Sequence, residues 1–133
     1  MTHPLDDTIA GATQTPGKFG VIACYYLQCT FASGVATADD ADTSQGVTIA
    51  KDTTGDYDVT FPSGEGIVMV NAMLDPAADD PTDANVAVPL PRSFVPGGTG
   101  KILFVHTDDG GNADPDDSSR LYLEIKVRMS GGT

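Results

Sequence analysis

Polar and apolar residues alternate with a period of two along most of this chain, most densely over residues 46–74, GVTIAKDTTGDYDVTFPSGEGIVMVNAML. Val47 and Ile49 alternate with Thr48 and Ala50, and Tyr57, Val59 and Phe61 alternate with Asp56, Asp58 and Thr60. Successive side chains of a strand point to opposite faces, so each run predicts a half-buried strand. Asp52-Thr53-Thr54-Gly55 between them predicts a bulged hairpin turn, with Asp52 bonding backbone donors and Gly55 left-handed. Pro62-Ser63-Gly64 predicts a second tight turn, into a third strand over 66–74. There Ile67, Met69 and Met73 fall on one face and Val68, Val70 and Leu74 on the other. A strand apolar on both faces is central or lies against a second subunit. The pattern therefore predicts a three-stranded meander as the core of the fold.

The remaining strands follow from the same rule. Residues 18–31, KFGVIACYYLQCTF, put Phe19, Val21, Ala23, Tyr25, Leu27, Cys29 and Phe31 on one face and Ile22, Cys24 and Tyr26 on the other. Residues 32–46 form an acidic loop with one short strand around Val35. Residues 101–107, KILFVHT, set Ile102, Phe104 and His106 against Leu103 and Val105. The cleanest alternation is LYLEIKVRM at 121–129, with Leu121, Leu123, Ile125, Val127 and Met129 inward and Tyr122, Glu124, Lys126 and Arg128 outward.

Two segments break the pattern. Residues 1–17 lack periodicity and read as an extended N-terminal arm. Residues 75–100 form a long Pro-rich loop. Val86, Val88 and Leu90 alternate there, while Pro89, Pro91 and Pro96 exclude a central strand and leave an edge strand or an extended arm. No window carries an apolar period of 3.6. The expected fold is all-β: an antiparallel β-sandwich, jelly-roll-like, of six to eight strands, with 18–133 as a single domain behind the 1–17 arm. Three strands (18–31, 66–74 and 101–107) are apolar on both faces. Covering the surplus face predicts a homo-oligomer, most simply a trimer or dimer, with the trimer preferred.

Composition narrows the partners. The 133 residues carry 19 acidic against 7 basic side chains, a formal charge of −12, and all the acids but Glu65 and Glu124 are Asp. Asp favours turns over helix interiors, which places the charge in loops. So negative a surface repels phosphate, excluding nucleic acid and an anionic membrane as partners. The start, MTHPLDD, has no basic region followed by an apolar run, so no secretory leader is expected. The apolar run 21–27 is too short to span a bilayer. Cys24 and Cys29 fall on opposite faces of one strand, which predicts two buried free thiols.

Catalytic chemistry finds little support. His3 lies in the arm and His106 beside Phe104 in a strand, and no GxSxG, HExxH or P-loop motif occurs. The paired aspartates lie in loops with no apolar pocket to raise a carboxyl pKa, so the chain is not expected to be an enzyme. No cofactor is expected except calcium, for which oxygen-rich loops supply candidate ligands. Asp40-x-Asp42-x-Ser44 opens like a calcium loop, although Gly46 comes one place late and Lys51 stands where a bidentate Glu belongs. Asp108 and Asp114 lie in the second such loop. The competing reading of both loops is a solvated acidic surface.

The run GVTIAKDTTGDYDVTF resembles a hairpin of tailed-bacteriophage virion proteins, Gly-Val-x-x-x-x-x-x-Thr-Gly-x-Tyr-x-Val-Thr-Phe. Gly46, Val47, Gly55, Tyr57, Val59, Thr60 and Phe61 carry the likeness, all in structural roles. FVHTDDGGNADPDDSSRLYLEIKV resembles the closing hairpin of the same proteins, which include head-decoration (cement) proteins, head fibres and tail-fibre tips. Unlike a fibre, this chain has no coiled-coil or repetitive shaft. The resemblance thus implies a capsid decoration protein: assembled in the host cytoplasm, located on the virion at the capsid surface, bound to the major capsid protein, and bridging capsomers. Leu5, Ile9, Val86, Val88, Leu90, Phe94 and Val95, in the two irregular segments, are the expected partner-binding residues. The alternative is a glycan-recognising, host-binding module of a fibre or tail. Such a site needs exposed aromatics, and the chain has no Trp and four Tyr, of which Tyr122 is the best placed.

Overall fold

Alternation gives every long strand an apolar face, and the chain buries those faces by packing two antiparallel sheets against each other. The computed structural model describes residues 12–15, 20–76, 87–106 and 110–129. Within them lie nine strands: β1 (Ala12–Thr15), β2 (Gly20–Ala32), β3 (Val35–Ala38), β4 (Thr48–Thr53), β5 (Asp56–Thr60), β6 (Gly66–Asp75), β7 (Ala87–Val95), β8 (Thr99–His106) and β9 (Arg120–Arg128). The first sheet runs β1-β2-β9-β6, with β3 also on β2, and the second runs β4-β5-β8-β7. The 13-residue β2 has room for two short partners on one edge, β1 opposite residues 20–23 and β3 opposite 29–32. Its other edge pairs with β9. No helix occurs among the described residues.

The core is the meeting of the two inner faces. Leu27, Cys29 and Phe31 of β2 and Leu121, Leu123, Ile125 and Val127 of β9 face Tyr57 and Val59 of β5 and Ile102 and Phe104 of β8. Burying an aliphatic side chain of this size stabilises by about 1.5–3 kcal/mol. Phe31, Tyr57 and Phe104 meet edge to face with each pair of ring centroids 5.4 Å apart, joining the two sheets through one aromatic cluster. Such pairs add about 0.5–1.5 kcal/mol beyond their area. The odd spacing of the cysteines separates them as expected. Cys29 is buried, its thiol pushed up to about 12 by burial, and Cys24 is only half-buried on the opposite face.

The β4–β5 hairpin forms as the sequence predicts, with a bulge between Lys51 and Thr53 and Gly55 at φ +72°. The meander does not. β6 leaves β5, crosses to the other sheet and pairs with β9 as its edge strand. The 61–65 connection is a crossover held by Phe61 N–H to Gly98 O, Gly64 N–H to Pro96 O and Glu65 N–H to Arg128 O. A bulge between Ile67 and Met69 then changes the facing: Ile67 joins Val70, Ala72 and Leu74 against the core, while Met69 and Met73 point out. Period-two reading placed Ile67 with the methionines because one extra residue in a strand shifts every facing beyond it.

Two irregular segments also contain strand. Ala12–Thr15 of the arm pairs with β2 in this chain's own sheet. Within the Pro-rich loop, residues 87–95 are the edge strand β7. Leu5, Ile9, Val86 and Asp108 lie outside the described residues.

Candidate functional site

Four surface stations carry the chemistry, and the first turns out to be structural. Lys51 Nζ lies 2.6 Å from Asp114 Oδ2, and the Gly55 N–H donates to Asp114 Oδ1 at 2.8 Å. The buried Tyr57 hydroxyl donates to Gly34 O at 2.5 Å, with Asp114 Oδ1 3.2 Å away. Gly34 sits at φ +78°, and a Cβ there would stand 2.6 Å from Asp114 Oδ2, so only glycine fits. Burial pushes the Asp114 carboxyl up, but the Lys51 ammonium, the Gly55 N–H and the Tyr57 hydroxyl outweigh it and hold the group below its usual range. Tyr57 is raised, chiefly by burial and then by the Asp114 charge. Asp114, one of the expected calcium ligands, ties together the β2–β3 turn, the β4–β5 hairpin and the 110–119 loop.

The second station is a carboxylate triad on the outer face of the β4-β5-β8-β7 sheet. Oxygens of Asp52, Asp56 and Asp58 lie within 4.8 Å of one another, the sole such grouping among the described residues. Lys101 Nζ occupies its centre, 3.1 Å from Asp52, 3.3 Å from Asp56 and 2.8 Å from Asp58. Hydrogen bonds to Asp58 and then Asp52 raise the lysine pKa. The ammonium already supplies the positive charge a cation would bring. Period-two reading placed Asp56 and Asp58 outward, but Lys101 joins them only because Asp58 pairs with it across β5–β8.

The third station is a cleft of about 820 Å³ on the outer face of the β1-β2-β9-β6 sheet. Two cross-strand rows make its floor. Tyr26, Glu124 and Asn71 form one, and Gln28, Tyr122 and Met73 the other, each stepping from β2 to β9 to β6. The 41–44 segment forms the rim. It is fixed by Ser44 Oγ accepting from Tyr26 N, Ser44 N donating to Tyr26 O, and the Thr43 hydroxyl bonding Gln28 N and O. The loop thereby satisfies the β2 edge between β1 and β3. Asp42 lines the cleft and Asp40 is exposed nearby, while Ser44, the third oxygen of the expected calcium loop, is committed to β2. Tyr26 is 47% exposed, its hydroxyl raised by partial burial and then by neighbouring Cys24 and Glu124.

No family model, curated protein or solved structure matches this chain.

The fourth station is an apolar strip. Val88 opposes Val105 and Leu90 opposes Leu103 across β7–β8. Their neighbours Pro89 and Phe104 alternate to the core side, so all four side chains lie on the outer face, beside the Lys101 triad. Val88 is 37% exposed and the other three half-buried. Of the expected partner-binding residues described here, Val88 and Leu90 belong to this strip and Val95 is exposed beyond the β7 bulge. Phe94 does not join them. Its ring stacks on Phe61 at 5.8 Å and fills the space a Cβ at Gly100 would take, so it closes the sandwich edge. Leu103 and Val105 were legible as the outward face of their strand, but their pairing with Val88 and Leu90 was not. In the cleft, Tyr122, the tyrosine expected to be exposed, is half-buried while Tyr26 is the exposed one, and Gln28, Asn71 and Glu124 become their neighbours only when β2, β9 and β6 align.

Proposed function

We propose that this protein is a bacteriophage capsid decoration (cement) protein, a homo-oligomeric β-sandwich that binds the head exterior and bridges subunits of the major capsid protein. The observation that supports this reading best is the apolar strip of Val88, Leu90, Leu103 and Val105 on an outer sheet face. The solvated face of an antiparallel sandwich is ordinarily polar, so four adjacent aliphatic side chains there suit burial against a partner. Docking them contributes about 25 cal/mol for each Å² of apolar surface removed from water. The charge of −12 suits the outside of a shell, where packaged DNA exerts no repulsion at contact range. β7 adds stiffness, since Pro89 and Pro91 lower the entropy lost on docking. No step calls for catalysis or a bound metal.

The test mixes purified protein with undecorated heads and counts bound copies. The parent should saturate the heads, and Val88→Asp and Leu103→Asp should each weaken binding at least tenfold while melting as the parent does. If the parent leaves heads bare, or both variants bind as tightly as it does, the decoration reading fails.

A second reading, a host-binding module for neutral glycans, draws on the cleft, where two tyrosines, two amides and Glu124 share one concave face. Binding to host cells that is lost in Tyr26→Ala and Tyr122→Ala, without binding to heads, favours it over decoration.

A further inference from the structure

A sandwich has four edges, and three of them here are blunted. β7 carries Pro89 and Pro91, which donate no ladder hydrogen bond, and a bulge between Arg92 and Val95. β4 carries Lys51 and its own bulge. The β2 edge is filled by β1, the 41–44 loop and β3. β6 differs from all three. Ten residues long, GIVMVNAMLD contains no Pro, Lys or Arg, and among the described strands it pairs with β9 alone, on one side. Its outward side chains Met69 and Met73 are 40% and 60% exposed, and its inward ones are only partly buried, whereas those of β9 are almost wholly so. A long strand whose sole charge is the terminal Asp75, with no described partner on its second edge, is a template for another strand.

We infer that β6 pairs antiparallel with β6 of a second copy of this chain across a two-fold axis at Asn71. Facing residues in an antiparallel pair must share a sheet face, which restricts the registers. With Asn71 opposite its own counterpart, Val70 faces Ala72 of the second copy and Met69 faces Met73, all matched in facing. The bulge at Val68 brings Ile67 opposite Leu74 and Gly66 opposite Asp75, as it aligns both ends of β6 with β9. Each match fits. Met69 and Met73 cover one another, the Asn71 amides can exchange donor and acceptor, and the inward pairs extend the core.

The ends supply charge complementarity. Arg128 opposes Gly66 on β9, and its guanidinium lies over that glycine, where a Cβ would sit 3.0 Å from Nη2. No carboxylate of a described residue forms an ion pair with Arg128, and Asp75 has no ion pair either. The pairing sets Asp75 of each copy beside Arg128 of the other, twice per dimer. It also carries the cleft floor across the axis, where the Tyr26, Glu124, Asn71 row meets its own copy. This inference specifies the homo-oligomer of the proposed function as a two-fold pair in place of the expected trimer, and it is tested on the protein alone in solution, without capsids.

The test uses the full chain. Sedimentation at about 100 µM should give a dimer, or a larger assembly built from that pair. Asn71→Cys should form an intermolecular disulfide under mild oxidation, because opposed strand residues lie within disulfide reach. Met73→Cys should not, since Met73 meets Met69 of the second copy and not itself. Met69→Lys with Met73→Lys should weaken association at least tenfold, and Met69→Lys with Met73→Glu should restore it. A monomer at that concentration overturns the inference. So does an oligomer in which Met73→Cys crosslinks and Asn71→Cys does not. Loss of capsid binding with the dimer intact would sink only the decoration reading.

Discussion

Asp114 and Lys101 are two charged stations built from the same chemistry and used differently. Asp114 accepts from Lys51 and Gly55 and adjoins the buried Tyr57 hydroxyl, so its carboxylate joins three loops and a core side chain. Lys101 holds three aspartates on an open sheet face, where water competes for every bond. The first should matter for stability and the second hardly at all. Partial burial, a backbone N–H donor and the buried Tyr57 hydroxyl, and not the number of ion pairs, separate them.

The largest effect is expected from Asp114→Ala. It leaves the Gly55 N–H and the Lys51 ammonium without their acceptor and should cost about 2–3 kcal/mol, a fall in Tm on the order of 10 °C. Calorimetry giving less than a third of that fall would place Asp114 with the surface pairs. Tyr57→Phe should follow at about 1–2 kcal/mol, because it keeps the edge-to-face contacts with Phe31 and Phe104 and loses the hydroxyl's bond to Gly34 O and its contact with Asp114 Oδ1. Chemical denaturation checks this value.

Acid sharpens the contrast. The folded-state pKa of Asp114 lies below its unfolded value. Its contribution is therefore present above the unfolded value near 3.9 and is lost as pH falls through the lower folded value. As pH falls below the unfolded value of about 3.9, stability should drop more steeply in the parent than in Asp114→Asn. Equal slopes would show that Asp114 is not the titrating group. Lys101 runs the opposite way. With its pKa raised in the fold, its contribution is present below the unfolded value near 10.4 and is lost only as pH rises through the raised one.

The smallest effect belongs to Lys101→Met, which should leave Tm nearly unchanged at neutral pH. The same variant frees the Asp52, Asp56 and Asp58 oxygens, so millimolar calcium should raise its Tm more than the parent's. An equal shift in both proteins would mean that Lys101 does not compete with the cation.

Much of the fold was legible residue by residue. LYLEIKVRM gave β9 with its inner and outer faces, because a period of two is a local property of strand geometry. Asp-Thr-Thr-Gly gave the hairpin, because Gly55 supplies a left-handed turn position that other residues resist. Pro89 and Pro91 restricted their segment to an edge strand or an extended arm, because proline cannot donate to a second ladder, and β7 is the edge strand. The candidate sites were less legible. Val88 and Leu90 were marked as surface anchors, but Phe94 was grouped with them although it packs on Phe61.

The sequence by itself determined most of the strands, the sidedness of β2, β5, β8 and β9 and the position of the 52–55 turn, since these follow from residues one or two places apart. Only the tertiary structure decided which strands are neighbours. It sent β6 to the sheet of β9, moved Ile67 inward through one bulged residue, and drew Asp114 to Lys51, 63 positions away. Pairing partners are chosen by contacts between distant residues, and many partners satisfy one alternation equally well. The rows of the cleft, the apolar strip and the open edge of β6 all depend on that choice.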